Sequence, residues 1–175
     1  VSWGDSANAA SYVLEQSVNG GAWTSVYTGS GLSQAMQQTA NGSYTYQVKG
    51  CNVVGCSGYR TSTPVVVTLP PTSAPTVSAP ATNSTGTYTV SWSGVAGAAT
   101  YILEEQINGG SWTTQQNTGA TSETFSGKAN GSYGYRVQAS NAGGPGPLSA
   151  TQVVVVGLIP ATPPAPHISV SGPDW

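Results

Sequence analysis

Residues 130–141 read Asn130-Gly131-Ser132-Tyr133-Gly134-Tyr135-Arg136-Val137-Gln138-Ala139-Ser140-Asn141. Tyr133, Tyr135, Val137 and Ala139 fall at every second position, with Gly134, Arg136, Gln138 and Ser140 between them. Apolar residues at period two against a polar counter-face describe a half-buried strand. The leading Asn130-Gly131 predicts a tight turn through positive φ. The same phrase stands 89 positions earlier, as Asn41-Gly42-Ser43-Tyr44-Thr45-Tyr46-Gln47-Val48-Lys49-Gly50-Cys51-Asn52. One β unit is written twice.

Working outward, Trp3/Trp92, Tyr12/Tyr101, Glu15/Glu104, Trp23/Trp112, Met36/Phe125 and Tyr44/Tyr133 all keep the 89-residue offset. Strands are predicted at Tyr12–Gln16 and Ala22–Tyr27 around an Asn19-Gly20-Gly21 turn, at a short piece holding Met36, at Tyr44–Cys51 and at Val65–Val67. In the second copy they are predicted at Thr76–Ser78, around Tyr88–Trp92, at Tyr101–Gln106, at Ser111–Thr114 after the Asn108-Gly109-Gly110 turn, and at Phe125. The Tyr133 strand follows, then a Gly143-Gly144-Pro145-Gly146 loop and a last strand around Thr151–Val156. Helical spacing is nowhere sustained, and Gly, Pro and β-branched residues oppose it. Leu69-Pro70-Pro71-Thr72-Ser73-Ala74-Pro75 is a stiff, extended connector, too short for a flexible tether.

These signals divide the chain into a module at 1–69 that lacks its opening strand, a Pro-rich linker at 70–75 and a complete module at 76–157. A second Pro-rich linker follows at 158–166. His167-Ile168-Ser169-Val170 resembles Thr76-Val77-Ser78-Ala79, so 167–175 is read as the first strand of a third copy. With Val1-Ser2-Trp3 opening mid-pattern, the chain is expected to be a window cut from a longer array.

Composition narrows the class. Charged residues are 6% of the chain, against about 25% in ordinary soluble domains. Five Trp, nine Tyr and many Val nevertheless argue for packed cores over disorder. A net charge of −2 with four scattered basic residues excludes a nucleic-acid footprint. The longest apolar run, Val153–Val156, is far short of the roughly 18 residues of a membrane span and suits a strand.

At about 89 residues with seven short strands and frequent turn signals, each unit is expected to be an all-β two-sheet sandwich. The unit resembles a fibronectin type III domain, and the resemblance covers nearly the whole chain. It rests on Trp92 late in the second strand, Tyr101-x-Leu103 in the third, and Tyr133-x-Tyr135-x-Val137-x-Ala139-x-Asn141 leading into Ala142-Gly143-Gly144. The resemblance implies tandem seven-stranded immunoglobulin-like sandwiches with Tyr44 and Tyr133 as corner tyrosines bonded back to nearby backbone. The usual Leu-x-Pro before that tyrosine is absent, which predicts a tighter corner. The phrase Leu-Glu-x-x-x-Asn-Gly-Gly-x-Trp is similar to the bacterial branch of the family, whose members recur in secreted polysaccharide-degrading enzymes and large surface proteins.

The structural core is expected to hold Trp3, Trp92, Tyr12, Tyr101, Leu14, Leu103, Tyr44, Tyr46, Val48, Tyr133, Tyr135, Val137, Met36 and Phe125. Trp23 and Trp112 follow Asn-Gly-Gly turns on presumed edge strands; each either laps over the sheet edge or stacks on a sugar or partner surface. For Cys51 and Cys56 a metal or redox pair competes with a disulfide. Metal needs about four ligands, His167 is more than a hundred residues away, and Cys-x4-Cys is not the spacing of thiol oxidoreductases. A disulfide is favoured, which places the protein outside the cytosol.

Asn41, Asn83 and Asn130 begin glycosylation sequons, but the turns already account for Asn41 and Asn130. Glu104 and Glu105 are adjacent on a strand and point to opposite faces, and the sequence offers Glu15, Glu104, Glu105 and Glu123 no evident charge partner or cleft. No nucleophile elbow, phosphate loop or His-Glu-x-x-His is present. The expectation is a non-catalytic, cofactor-free spacer in an extracellular or cell-surface protein, partnered by neighbouring modules. An adhesive or carbohydrate-binding array, or a self-assembling fibre of like chains, are the alternatives; nucleic-acid binding and membrane insertion are not expected.

Overall fold

The Asn-Gly pairs that open the signature strands are not positive-φ turns. The computed structural model describes residues 1–165; the expected third-copy strand at 167–170 lies outside them. Within it, left-handed backbone occurs at Asn19 and Gly20 (φ 51° and 73°) and at Asn108 and Gly109 (φ 49° and 74°), whereas Asn41-Gly42 and Asn130-Gly131 lie outside that region. Gly42 and Gly131 are extended strand residues needed for room. A Cβ on either would meet the Oδ1 of Asn19 at 3.1 Å or of Asn108 at 3.0 Å. Those amide oxygens accept the N–H of Ser43 and of Ser132, both at 2.8 Å.

The described strands fall into two groups with no backbone pairing between them, and none of the described residues is helical. The first group is β1 (Ser11–Val18), β2 (Thr24–Gly29), β3 (Gly42–Cys51), β4 (Arg60–Thr61) and β5 (Val65–Val67), ordered β2-β1-β3-β4 with β5 on the other end of β3. The second begins with β6 (Val77–Ser78), β7 (Thr82–Asn83), β8 (Tyr88–Trp92), β9 (Thr100–Ile107) and β10 (Trp112–Thr118). It continues with β11 (Ser122–Phe125), β12 (Gly131–Asn141), β13 (Gly144–Leu148) and β14 (Gln152–Val156). One sheet runs β10-β9-β12-β14-β7 with β13 beside β12; the other is β11-β8-β6.

Nine strand pieces stand where seven strands were expected, because the first and last are each broken. β6 pairs with β8, and after Pro80 the chain crosses to the opposite sheet, where β7 runs parallel to β14. Most of the expected Gly143–Gly146 loop belongs instead to a strand, Gly144–Leu148, antiparallel to β12 and separate from β14 further along.

The second group is closed over its core. Val90, Leu103, Tyr135, Val137, Ala139 and Val154 are wholly buried, with Trp92, Tyr101, Phe125 and Tyr133 nearly so. The first group buries only Leu14, Tyr44 and Tyr46 in its cluster, and Tyr12 beside it. Trp3, Met36 and Val48 are corrected from full core to half-buried packing around that cluster. Met36 also lies outside any strand; among the described residues the only pairing across from β1 is an isolated bridge, Ser2 to Ser33. A second layer reduced to one bridge cannot cover the inner face, so these side chains keep contact with water.

Candidate functional site

The connector is gripped from both sides. Asn41 Oδ1, at the entry to β3, accepts the N–H of Leu69 at 2.6 Å. Asn141 Nδ2, at the end of β12, donates to the carbonyl of the same Leu69 at 2.9 Å and to Gly97 O at 2.8 Å. One residue therefore bridges the two strand groups. A Cβ at Gly143 would stand 2.2 Å from Thr68 O, and one at Gly146 would stand 2.6 Å from Pro71 O. Only glycine lets the β12–β13 hairpin close on the connector this tightly. Pro71 and Pro75 are buried, and a cavity of about 280 Å³ remains between Asn41, Leu69, Pro71, Gly97 and Asn141.

Half of this grip recurs one copy later: Asn130 Oδ1 accepts the N–H of Leu158 at 2.7 Å. The corresponding upper half in the first group differs. Asn52 Nδ2 donates to Asn8 O at 2.9 Å, as Asn141 does to Gly97, but Val54 occupies the place of Gly143. Val53 and Val54 are fully exposed at the hairpin tip. Cys51 and Cys56 are joined by a disulfide across that hairpin, where Ser140 and Pro145 pair in the second group. The tip flanks a cavity of about 400 Å³ lined by Ser6–Ala9, Gly50–Asn52 and Val54–Ser57.

A ring so short restricts the unfolded chain little, so reduction is expected to remove about 2 kcal/mol. Calorimetry before and after reduction should move the transition of the first group and leave that of the second where it was. Two shifted transitions would show that the clip supports more than its own hairpin.

A second feature escapes the sequence. Glu105, 3% exposed, faces inward from β9 and is not without a charge partner: Lys128 Nζ stands 2.5 Å from its Oε1. Tyr135 Oη donates to the same oxygen at 2.6 Å, and Tyr88 Oη lies 2.8 Å from Tyr135 Oη. Lys128 also lies over the rings of Phe125 (4.7 Å) and Tyr133 (5.0 Å). Burial, with the neighbouring carboxylate and phenol, pushes the Tyr135 hydroxyl far above its ordinary range and so holds it as a donor. The one clue is comparative: the first copy has Gln16 and Thr39 where Glu105 and Lys128 stand, a paired loss of both charges.

Glu104 points outward to Arg136 Nε at 2.6 Å. Glu15 accepts from Tyr59 Oη at 2.7 Å and Gln47 Nε2 at 2.6 Å, and these bonds hold its carboxyl below the usual range. Glu123 faces Val90 across the β11–β8 pair. Nowhere among the described residues do three His, Cys, Asp or Glu side chains gather as a metal site would need.

Trp23 and Trp112 lie on or beside the edge strands β2 and β10 but are not equivalent. Trp112 lies over Gly134, whose added Cβ would be 3.4 Å from the indole, and the Arg136 guanidinium covers its ring at 4.2 Å. Thr45 and Gln47 hold those places in the first copy, offering neither a bed nor a cation, and Trp23 is 41% exposed. The corner tyrosines both bond four residues back, Tyr44 Oη to Ala40 O at 2.8 Å and Tyr133 Oη to Ala129 O at 3.0 Å.

No family model matches the chain, and no curated protein matches it. Among 222 matching chains of solved structures is the crystal structure of chicken CNTN1 FN1-FN3 domains, with TM-score 0.51 and 22% identity. The match covers 83% of this chain and 55% of that one, so the chain spans about half its length. So widespread an architecture fixes the fold, a fibronectin type III-like sandwich, and nothing finer.

Proposed function

We propose that the chain serves as a rigid spacer, two fibronectin type III-like modules at 1–69 and 76–157 that hold attached parts of a larger extracellular or cell-surface protein at set distance and orientation. The observation that carries this is Leu69, whose N–H is held by Asn41 and whose carbonyl is held by Asn141. A connector working as a hinge has no use for two side-chain amides on one residue, nor for glycines that admit it to within contact. The disulfide supports an oxidising compartment, and the Leu-Glu-x-x-x-Asn-Gly-Gly-x-Trp phrase supports a bacterial source. The modules carry out no reaction, need no cofactor, and have neighbouring modules as their partners.

A second reading, adhesion to a protein or polysaccharide, draws on exposed Trp23 and the Val53-Val54 tip. Small-angle scattering with ¹⁵N relaxation tests the spacer reading. The two modules are expected to tumble as one body in the natural sequence and independently in Gly143→Val, with both melting transitions kept. Independent tumbling of the unaltered chain would defeat it.

A further inference from the structure

In the second module the outer face of the β10-β9-β12 sheet is closed around its tryptophan. The Trp112 indole lies 3.4 Å from where a Cβ on Gly134 would stand, and the Arg136 guanidinium covers its ring at 4.2 Å. Glu104 Oε2 holds that guanidinium in place at 2.6 Å. The face of the ring is therefore spent within the module.

The β2-β1-β3 sheet of the first module carries the corresponding tryptophan with that closure undone. Thr45 stands for Gly134 and Gln47 for Arg136, and Trp23 is 41% exposed. Ser25 pairs with Glu15, which pairs in turn with Gln47. Trp23, two residues before Ser25, leaves the same face. The indole is thus rooted about 7 Å along the sheet from the Glu15-Gln47 row. That row is fixed: Gln47 Nε2 and Tyr59 Oη donate to Glu15 at 2.6 Å and 2.7 Å, and Lys49 Nζ lies over the Tyr59 ring at 4.6 Å. It is not exhausted. A carboxylate accepts at about four lone-pair positions, and Glu15 has two of them filled. Gln47 Oε1 and its second amide hydrogen have no partner among the described residues. Glu15 and Lys49 cancel in charge.

We infer that this face of the first module binds a neutral polysaccharide, one sugar ring stacked on the Trp23 indole and the hydroxyls of its neighbour on Gln47 and Glu15. The C–H groups of a pyranose face carry slight positive charge and meet the negative face of an indole. Hydroxyls donate to the open lone pairs of Glu15 and to Gln47 Oε1, and accept from the free amide hydrogen. A charged chain finds no net charge here to hold it. A protein partner would need roughly 800 Å² on its side and an apolar centre, whereas the indole is flanked on this face by Ser25, Thr45 and Gln47. The inference takes up the adhesive reading on the Trp23 side alone, so its failure would leave the Val53-Val54 tip untouched. It is also independent of the spacer reading, because tumbling of the modules reports on Leu69 and sugar titration on Trp23.

The test titrates neutral cello-, xylo-, manno- and N-acetylchito-oligosaccharides into the 175-residue chain and follows the indole N–H resonances, that of Trp23 being identified by its loss in Trp23→Ala. At least one series is expected to move the Trp23 resonance and leave that of Trp112 in place. Trp23→Ala should weaken binding at least about tenfold. Thr45→Gly with Gln47→Arg gives Trp23 the bed and the cation that Trp112 has, and should abolish binding with both melting transitions kept, so that the loss cannot be put down to unfolding. The inference is overturned if no series moves Trp23 at millimolar sugar, if Trp112 responds equally, or if binding survives the paired substitution. Preference for a charged oligosaccharide over every neutral one would overturn the ligand class.

Discussion

Trp92→Ala is expected to abolish the melting transition of the second module. The indole sits at 5% exposure against Tyr101, ring centroids 6.2 Å apart, within the closed core of the second module. Truncating a buried Trp to Ala costs about 3–5 kcal/mol, and a module of this size has a total stability of roughly 4–12 kcal/mol. Loss of near-ultraviolet dichroism with the first module's transition intact is the expected result; a variant melting within a few degrees of the parent would remove Trp92 from the centre. Trp92→Phe should cost far less, about 1 kcal/mol, because it keeps an aromatic ring and deletes an indole N–H that has no partner. Trp3→Ala should also cost less than Trp92→Ala, since Trp3 is only half buried under its reduced second layer.

Lys128→Ala is expected to be about as damaging, for a different reason. It leaves the Glu105 carboxylate buried with one phenol for company, and stripping one partner from a buried pair costs about 3–5 kcal/mol. Replacing both charges by the first copy's residues, Glu105→Gln with Lys128→Thr, should recover most of that loss because no unpaired charge is then buried. A double variant as unstable as Lys128→Ala would show that the ammonium packs, over Phe125 and Tyr133, more than it neutralises. The same cluster gives the module an alkaline limit. The Tyr135 and Tyr88 hydroxyls are held protonated by burial, so their folded values lie above the ordinary 10.0. Their contribution is fully present below about pH 10, where the unfolded chain is also protonated, and is lost as pH rises beyond it. Denaturant titrations from about pH 8 to pH 11 should show that decline in the second module, and Tyr135→Phe in the double-variant background should flatten it.

Period-two alternation told which faces of β1, β3, β9 and β12 point inward, because a strand has only two faces and a register error would bury the polar set. The 89-residue offset told that both copies share one plan, and it extends to features with no visible pattern, such as Leu69 and Leu158 answering to Asn41 and Asn130. Turn chemistry was less legible. Asn-Gly denotes a positive-φ turn at Asn19 and Asn108, yet at Asn41 and Asn130 the same dipeptide supplies an amide for the outgoing chain and room for a neighbour's side chain. Only the packing around each pair separates these uses.

The candidate site was legible in its parts and not in its assembly. Asn141, Gly143 and the prolines could each be read as turn or linker residues, and nothing local says that they converge on Leu69. Glu105 and Lys128 lie 23 positions apart with no spacing rule to join them, so the ion pair exists only once β9 and the chain before β12 are folded together. The sequence by itself determined the repeated β unit, its inward faces and its cysteine pair, because those follow from backbone periodicity and short-range spacing. Tertiary structure alone decided how the connector is gripped, which charges are buried and which tryptophan stays exposed, because each depends on what a distant segment places against it.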